Sequence, residues 1–440
     1  MLMLSRIFIA GQLIAATVAV QSLNSSYPAT NFKATFGSSP QPMTVDVSPD
    51  FIAQTKLKVS LTRFPIEIDG PQFVEGLPNK NLTQFRDYWL NDYDWDSVQQ
   101  QLNSNFSHFT TTVGPLDSSS YNYTLPIPLH FVHHRSERPD AIPLLFIHGY
   151  PGSFLEVRKI IDLLTTPPDH DIPAFHVVAP SIPGFGFSPA PTEPGLGLIE
   201  VGAAFNELMK QLGYDRYVAQ GGDFGAITIR YMAAMFPDST VSILSNLWGE
   251  APTDADLLRY SRNETTAEES SFIEFFQGVW PTVLAFWGVE STFPLQLGTL
   301  LNDSPIGNLG WLYWGTKGFS PGYDWGLEEL ITWSMMLYIP GPYGSVRTYA
   351  EMKRATQEGT LDFAWKDVSI PVGVLQYFPD VGYGVPRDWL ERQATNITYF
   401  SRKPLTTLGG HFPATINPTD LVDEMRKFWG SAAGGWTAYV

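Results

Sequence analysis

The chain of 440 residues contains no cysteine. This absence excludes disulfide bonds, thiolate nucleophiles and cysteine-ligated metal centres. The fold must therefore be stabilised by the burial of apolar surface. The apolar content of 44% is enough for a sizeable core.

Positive charge is scarce as well. Lys and Arg number 27 against 44 Asp and Glu, which leaves a formal net charge of −17 at pH 7. Such an excess of negative charge disfavours nucleic acid and anionic membrane surfaces as partners. It favours solubility but does not identify a substrate.

A short apolar segment stands at the N-terminus. Arg6 precedes an apolar run over residues 7–20 that only Gln12 interrupts, and Thr17-Val18-Ala19 offers small residues for cleavage. The pattern predicts a secretory signal peptide over residues 1–21, with an uncleaved membrane anchor as the alternative. Acceptor motifs for N-glycosylation fit passage through the secretory pathway, and they lie at Asn24, Asn81, Asn105, Asn122, Asn263 and Asn396.

The most informative segment is Gly221-Gly222-Asp223-Phe224-Gly225. It has the G-x-S-x-G pattern of a nucleophile elbow, with Asp in place of Ser. Strand-like residues 217–219 precede the turn, and a helical pattern follows it over residues 226–236. A carboxylate held in such a turn attacks carbon and forms an ester. This chemistry favours the opening of a strained ring or the displacement of a good leaving group.

A glycine-rich loop supplies a candidate oxyanion hole. The segment His148-Gly149-Tyr150-Pro151-Gly152-Ser153 follows an apolar strand predicted over residues 142–147. Open α/β sheets place their sites at the carboxyl ends of such strands. The backbone N–H groups of Tyr150 and Phe224 are expected to form the hole.

A candidate base and its partner come late in the chain. His411 lies in Gly409-Gly410-His411-Phe412, and it is expected to activate a water molecule. Asp380 follows a strand predicted over residues 372–376, where an acid that orients the imidazole belongs. Asp388 and Glu391 are the alternatives for this acid.

The alternation of strand and helix patterns predicts an α/β protein with a mostly parallel central sheet and helices on both faces. Beyond the leader at 1–21 we predict five segments. They are an N-terminal extension (22–128), the first part of the core (129–247), an inserted helical lid (248–354), the second part of the core (355–430) and a flexible tail (431–440). Within the extension, residues 51–105 have a helical pattern and are expected to pack outside the main sheet.

Together these motifs resemble those of the microsomal-type epoxide hydrolases of the α/β-hydrolase superfamily. Residues 148–153 match the family's HGxPGS element, residues 180–188 its PSIPGxGFS loop, and residues 301–305 a lid element. The resemblance covers about residues 51–429. It implies an α/β-hydrolase fold with a helical lid and a family-type N-terminal extension.

The resemblance also implies the roles of individual residues. In that family an Asp opens the epoxide, two lid tyrosines hold the epoxide oxygen, and a His–acid pair hydrolyses the ester. Asp223, His411 and Tyr349 match three of these positions. The first lid tyrosine falls on Phe286, which cannot donate a hydrogen bond.

The acid of the His–acid pair departs from the family pattern too. Val381 occupies its usual place, and the carboxylate stands one residue earlier, at Asp380. In an extended segment, a shift of one residue turns the side chain the other way. A local change of the backbone is therefore needed if Asp380 is to reach His411.

We therefore expect an epoxide hydrolase that converts a small apolar epoxide to a vicinal diol through an ester of Asp223. Four residues are expected to line the substrate pocket: Phe286, His148, Pro151 and Phe412. The alternative, motivated by Phe286 and Val381, is a diverged cyclase, isomerase or ligand-binding protein. The chemistry needs no cofactor or metal ion, and a homodimer is left open.

Overall fold

The computed structural model describes residues 30–360 and 368–438, so the predicted leader at 1–21 lies outside the described residues. Nine strands form one sheet, in the order β1-β2-β3-β5-β4-β6-β7-β8-β9. The strands are β1 (Gln41–Met43), β2 (His108–Val113), β3 (Ile127–His134), β4 (Ile142–Ile147), β5 (Phe175–Pro180), β6 (Tyr217–Gly221), β7 (Thr240–Ser245), β8 (Val372–Gln376) and β9 (Ile397–Arg402).

The sheet is parallel from its centre to one edge. Strand β4 pairs in parallel with β5 and β6, and the parallel pairing continues through β7, β8 and β9. Every residue of β4 except Pro143 is buried. A continuous apolar run of this kind is typical of a parallel strand that is covered on both faces.

The N-terminal extension contributes to the sheet, which the sequence did not predict. Strands β1 and β2 extend the sheet beyond β3 by antiparallel pairing. The segment expected to be helical, residues 51–105, contributes no strand to the sheet, and the two added strands come from either side of it. Strand β2 carries three consecutive threonines, so it lacks the apolar run that marks the central strands, and its pairing with β3 is what defines it.

Most helices fall into two groups, one before β2 and one inserted between β7 and β8. The first group is α1 (Pro49–Ser60), α2 (Asn79–Asn91) and α3 (Trp95–Asn105). The inserted group is α7 (Asp254–Ser261), α8 (Ala267–Thr292), α9 (Pro294–Asp303), α10 (Pro305–Lys317), α11 (Leu327–Tyr338) and α12 (Pro342–Gln357). The first group packs on the second, because α1 contacts α10 and α2 contacts both α10 and α11.

The remaining helices lie between the strands of the core or follow its last strand. They are α4 (Ile161–Thr165), α5 (Leu198–Gln211), α6 (Phe224–Met235), α13 (Arg387–Leu390), α14 (Pro413–Ile416) and α15 (Pro418–Trp429). Two short 3-10 helices, Ala432–Gly434 and Trp436–Ala438, follow α15. The Thr398 hydroxyl donates a hydrogen bond of 2.7 Å to the Ala433 carbonyl. The described part of the predicted flexible tail is thus tied to β9.

A tight turn joins β6 to α6 and holds Asp223 in a conformation that few residues other than glycine adopt. The φ and ψ angles of Asp223 are 50° and −122°. A Cβ atom at Gly225 would lie 2.0 Å from the carbonyl oxygen of Ile147, and one at Gly221 would lie 2.5 Å from the carbonyl carbon of Gly225. Only glycine allows the strand and the helix to approach this closely. The turn therefore fixes Asp223 above the end of the central strands.

This close approach predicts the effect of adding a methyl group. We expect Gly225→Ala to lower the free energy of unfolding by about 1–3 kcal/mol, because the new Cβ would overlap the backbone of β4. Gly278→Ala, in α8, is the matched control, since nothing lies within 4 Å of its added Cβ. Urea denaturation of both variants measures the effect. Equal stability of Gly225→Ala and the parent chain would contradict the packing argument.

Candidate active site

The Asp223 carboxylate is held by backbone N–H groups at the end of the sheet. The Tyr150 N–H donates a hydrogen bond of 2.7 Å to Oδ1. Burial raises the pKa of Asp223, whereas the nearby His411 and hydrogen bonds from the N–H groups of Tyr150 and Phe224 lower it. The side chain keeps 23% of its surface exposed. The two N–H groups predicted to form an oxyanion hole therefore converge on the carboxylate itself.

His411 lies between two carboxylates. Its Nδ1 is 2.8 Å from Oδ1 of Asp380, and its Nε2 is 3.7 Å from Oδ2 of Asp223. The first distance is that of a hydrogen bond, and the second is too long for one. The imidazole is therefore oriented by Asp380, while its other nitrogen faces the Asp223 carboxylate across a gap.

Asp380 reaches His411 because its segment is a turn and not an extended strand. The Asp380 N–H donates to the Tyr377 carbonyl at 3.0 Å, and the Tyr383 N–H donates to the Asp380 carbonyl at 2.8 Å. The Val381 N–H donates to Oδ1 of Asp380 at 2.8 Å. In this turn, successive side chains do not point in alternating directions as they would in an extended segment. Both alternative acids, Asp388 and Glu391, are exposed.

The two carboxylates raise the pKa of His411. Burial alone lowers this pKa, but Asp380, Asp223 and Glu156 together raise it to about 9. A positively charged imidazole is therefore favoured near neutral pH while Asp223 carries its negative charge.

The inserted helices contribute to the position of His411. The His411 N–H donates to the carbonyl of Phe319, just after α10, at 3.1 Å. The Phe319 ring lies 5.8 Å from the imidazole, centroid to centroid. From the core side, the Asn246 amide donates to the His411 carbonyl at 3.4 Å. The base is thus held by both the sheet and the insertion.

Several aromatic rings pack together near Asp223. The Tyr349 ring, on α12, lies 4.8 Å from that of Phe224 and 5.4 Å from that of Tyr150. The Phe286 ring, on α8, lies 5.8 Å from Tyr150 and 6.3 Å from Tyr349. Tyr349 and Phe286 therefore lie close together beside Tyr150, and one of them carries no hydroxyl.

The other predicted pocket residues make mainly structural contacts. His148 is buried, its Nε2 accepts a hydrogen bond of 3.1 Å from the Ile182 N–H, and burial lowers its pKa to about 4. The Phe412 ring packs 5.1 Å from that of Trp333. Pro151 is covered by α10, since an added Cβ at Gly315 would be 3.2 Å from it. These contacts do not test the pocket role of the three residues, which stays a prediction.

Two buried glutamates near the site were not predicted from the sequence. Burial raises the pKa of Glu156 to about 8, and it raises the pKa of Glu290 well above the ordinary value. Glu156 lies in the 3-10 helix Phe154–Lys159, and Glu290 lies four residues after Phe286 on α8. That helical spacing was the one available signal for Glu290. Across residues 30–360 and 368–438, no three His, Asp or Glu side chains form a candidate metal site.

Two family models match the chain. The model described as "Epoxide hydrolase N terminus" matches residues 40–157, and the one described as "alpha/beta hydrolase fold" matches residues 142–269. A putative epoxide hydrolase of Stigmatella aurantiaca is 30% identical over 390 residues, which are 88% of this chain and 84% of the relative. Epoxide hydrolase 1 of Sus scrofa is 28% identical over 430 residues, with 89% and 88% of the two chains covered.

Solved structures give the same result. Juvenile hormone epoxide hydrolase from the silkworm Bombyx mori superposes with a TM-score of 0.78 at 26% identity, covering 90% of this chain and 95% of its own. An Aspergillus niger epoxide hydrolase gives a TM-score of 0.73 at 26% identity, with coverages of 91% and 98%. These matches confirm the predicted α/β-hydrolase fold, with its mostly parallel sheet and helices on both faces.

The hydrogen bond between Asp380 and His411 predicts a change in the titration of the imidazole. We expect Asp380→Asn to lower the His411 pKa from its value of about 9, because the variant lacks the negative charge of Asp380, which raises that pKa. A raised folded-state pKa stabilises the fold below the unfolded value of about 6.5 and loses this contribution as the pH rises through about 9. As the pH rises from about 6.5 to about 9, the free energy of unfolding should therefore fall less in the variant than in the parent chain.

NMR titration of the histidine ring protons measures the pKa directly, and the spectrum of His411→Gln assigns the signal. Asp388→Asn replaces an exposed carboxylate and is the control. It should leave the His411 pKa unchanged. An unchanged His411 pKa in Asp380→Asn would contradict the assignment of Asp380 as its partner.

Proposed function

Because this chain belongs to the microsomal-type epoxide hydrolase family of the α/β-hydrolase superfamily, we propose that it hydrolyses a small apolar epoxide to a vicinal diol through a covalent ester of Asp223. The observation that carries this proposal is the line formed by Asp223, His411 and Asp380, with the Tyr150 N–H on the opposite side of the nucleophile. A nucleophile, a base, an orienting acid and an N–H donor are the groups that a two-step ester mechanism requires.

In the first step, Oδ2 of Asp223 attacks a carbon atom of the epoxide. Oδ1 is already engaged by the Tyr150 N–H, whereas Oδ2 faces the gap in front of His411. A bond forms between Oδ2 and carbon, and the bond between that carbon and the ring oxygen breaks. The oxygen takes a proton from the Tyr349 hydroxyl, because the Tyr349 ring on α12 packs 4.8 Å from that of Phe224, the residue that follows the nucleophile.

In the second step, water attacks the carboxyl carbon of the ester. His411 Nε2 removes a proton from that water molecule, and the 3.7 Å gap to Asp223 brings the base close to the atom under attack. The negative charge that develops on Oδ1 is stabilised by the N–H groups of Tyr150 and Phe224. Cleavage of the ester releases the diol and restores the Asp223 carboxylate.

The charges explain why the imidazole acts as a base in the second step. Before the reaction, Asp380 and Asp223 keep the pKa of His411 high, despite its burial. Once Asp223 is esterified, its negative charge is gone and the pKa of His411 falls. The imidazole therefore becomes an effective base when the ester is present to be hydrolysed.

The substrate class follows from the walls of the site. The rings of Tyr150, Phe224, Phe286 and Tyr349 pack against one another next to the nucleophile, so an apolar substituent is favoured over a charged one. The alternative of a diverged cyclase or binding protein rested partly on Val381. The 2.8 Å contact between Asp380 and His411 supports the hydrolase over this alternative.

Replacement of the base should trap the intermediate. We expect His411→Gln to accumulate an ester on Asp223, because ring opening does not need the imidazole as a base whereas ester hydrolysis does. Intact-protein mass spectrometry after incubation with styrene oxide should show one added substrate mass, located on the peptide that contains Asp223. His170→Gln is the control and should turn over without an adduct. Absence of an adduct in His411→Gln, with an epoxide that the parent chain hydrolyses, would refute the mechanism.

We further propose that residues 1–21 direct the chain into the secretory pathway and that the mature protein is a glycoprotein. The exposure of Asn105, Asn122 and Asn263 supports modification at these acceptor motifs. For protein expressed in a eukaryotic host, we expect N-terminal sequencing to find the chain starting near residue 22. Enzymatic removal of N-glycans should increase its mobility on a denaturing gel. A secreted protein that retains Met1, or a membrane fraction that retains the full chain, would favour the anchor instead.

A further inference from the structure

One buried tyrosine contacts both of the segments that carry His411 and Asp380. Tyr377 directly follows β8 and is fully buried. Its carbonyl accepts a hydrogen bond of 3.0 Å from the Asp380 N–H, which closes the turn that carries the acid. Its ring lies against Gly409, two residues before the base. Tyr377 therefore links the segment of the acid to the segment of the base.

The contact between the Tyr377 ring and Gly409 is very close. An added Cβ atom at Gly409 would lie 2.1 Å from Cδ1 of Tyr377 and 2.7 Å from its Cγ. Non-bonded carbon atoms pack best at about 3.5–4.0 Å, so only glycine leaves room for the ring at this point of the loop. The position of the ring therefore limits how closely the loop of His411 approaches the turn of Asp380.

The hydroxyl of Tyr377 fixes the ring to a charged cluster on the far side. It donates a hydrogen bond of 2.6 Å to Oδ2 of Asp420, in the first turn of α15. Lys403, just after β9, donates to Oδ1 of Asp420 at 2.8 Å and to Oε1 of Glu424 at 2.9 Å. Hydrogen bonds to charged groups are stronger than those between neutral groups. The ring is thus held by a carboxylate whose charge a buried lysine compensates.

The geometry that this ring supports matters for only one of the two chemical steps. Nδ1 of His411 is 2.8 Å from Asp380, and Nε2 is 3.7 Å from Oδ2 of Asp223. Ester hydrolysis needs Nε2 beside the water that attacks the ester, and a misplacement of about 1 Å can cost about a hundredfold in rate. Ring opening uses the Asp223 carboxylate and does not need the imidazole as a base.

We propose that Tyr377, held by Asp420, positions the loop of His411 against the turn of Asp380 and thereby sets the rate of ester hydrolysis. This inference rests on the proposed function and adds a positioning residue to it. Tyr377 acts on the reaction only through the base and its acid. The two chemical steps should therefore respond differently when its contacts are removed.

A single turnover separates the two steps. The full chain, in excess, is mixed with styrene oxide and quenched at set times, and mass spectrometry follows the ester on the Asp223 peptide as it forms and decays. Tyr377→Phe keeps the ring and removes only the hydroxyl. We expect it to slow the decay of the ester about tenfold, as the loss of one hydrogen bond to a charged group allows, and to leave its formation within about twofold.

A double-mutant cycle shows whether the two residues act as a unit. Asp420→Ala removes the same hydrogen bond from the other side, while Lys403 keeps its contact with Glu424. It should slow the decay of the ester about as much as Tyr377→Phe does. The double variant should stay within about twofold of either single variant, because two substitutions that break one contact are not additive.

Tyr399→Phe is the matched control. The Tyr399 hydroxyl donates a hydrogen bond of 2.7 Å to Oε2 of Glu424, so it belongs to the same charged cluster. Its ring packs on Phe428 of α15, at 5.4 Å between centroids. Removal of this hydroxyl should leave both steps unchanged.

The titration of His411 gives a second readout that needs no substrate. Asp380 raises the pKa of His411, which is about 9 in the parent chain. A looser contact with Asp380 should lower this pKa in Tyr377→Phe, whereas Tyr399→Phe should leave it unchanged. NMR titration of the histidine ring protons measures both variants. A loss of packing elsewhere in the chain would not produce this shift.

Each outcome decides the matter. Decay of the ester at the parent rate in Tyr377→Phe, or equal slowing of formation and decay, would overturn the inference and leave the proposed function intact. A double variant that is slower than either single variant by a further factor of about ten would also overturn it, because the two residues would then act separately. If the parent chain itself forms no ester, the proposed function fails, and this inference fails with it.

Discussion

The structure depends on stabilising one negative charge, that of the Asp223 carboxylate, in a largely buried position. Asp223 sits in a left-handed conformation at the turn between β6 and α6, which costs free energy that the surrounding packing must offset. Burial disfavours its carboxylate, and the compensation comes from two backbone N–H groups and from His411. His411 in turn depends on Asp380. Removal of any member of this line therefore leaves another with an uncompensated charge.

The inserted helices complete this arrangement and do more than cover it. They supply Tyr349 and Phe286 to the walls of the site, and the Phe319 carbonyl accepts a hydrogen bond from the His411 backbone. The N-terminal helices pack against α10 and α11, so they support the insertion from outside. The low polarity of the enclosed space strengthens the electrostatic interactions between the groups that face it. It also explains why Glu156 and Glu290 favour their neutral forms.

Much of the fold could be predicted because the chain carries strong local signals. The apolar run of β4 and the glycines around Asp223 predicted a parallel sheet with a nucleophile turn, and both are present. The N-terminal extension was predicted less well. Strand β2 has a polar, threonine-rich sequence whose role in the sheet is decided by its pairing with β3. Such a pairing joins residues that are distant in the chain, and no local pattern encodes it.

The sequence by itself determined which groups take part: a carboxylate at residue 223, an imidazole at residue 411, and a phenylalanine where a tyrosine was expected. These conclusions follow from residue identity and spacing. Only the tertiary structure decided that Asp380 points at His411, because the turn over residues 377–383 cancels the alternation of an extended strand. It also decided that the ring of Tyr377 lies against Gly409, since contact between the end of a strand and a distant loop depends on how the two pack. Burial and the neighbouring carboxylates then set the protonation of His411, and both are properties of the folded chain alone.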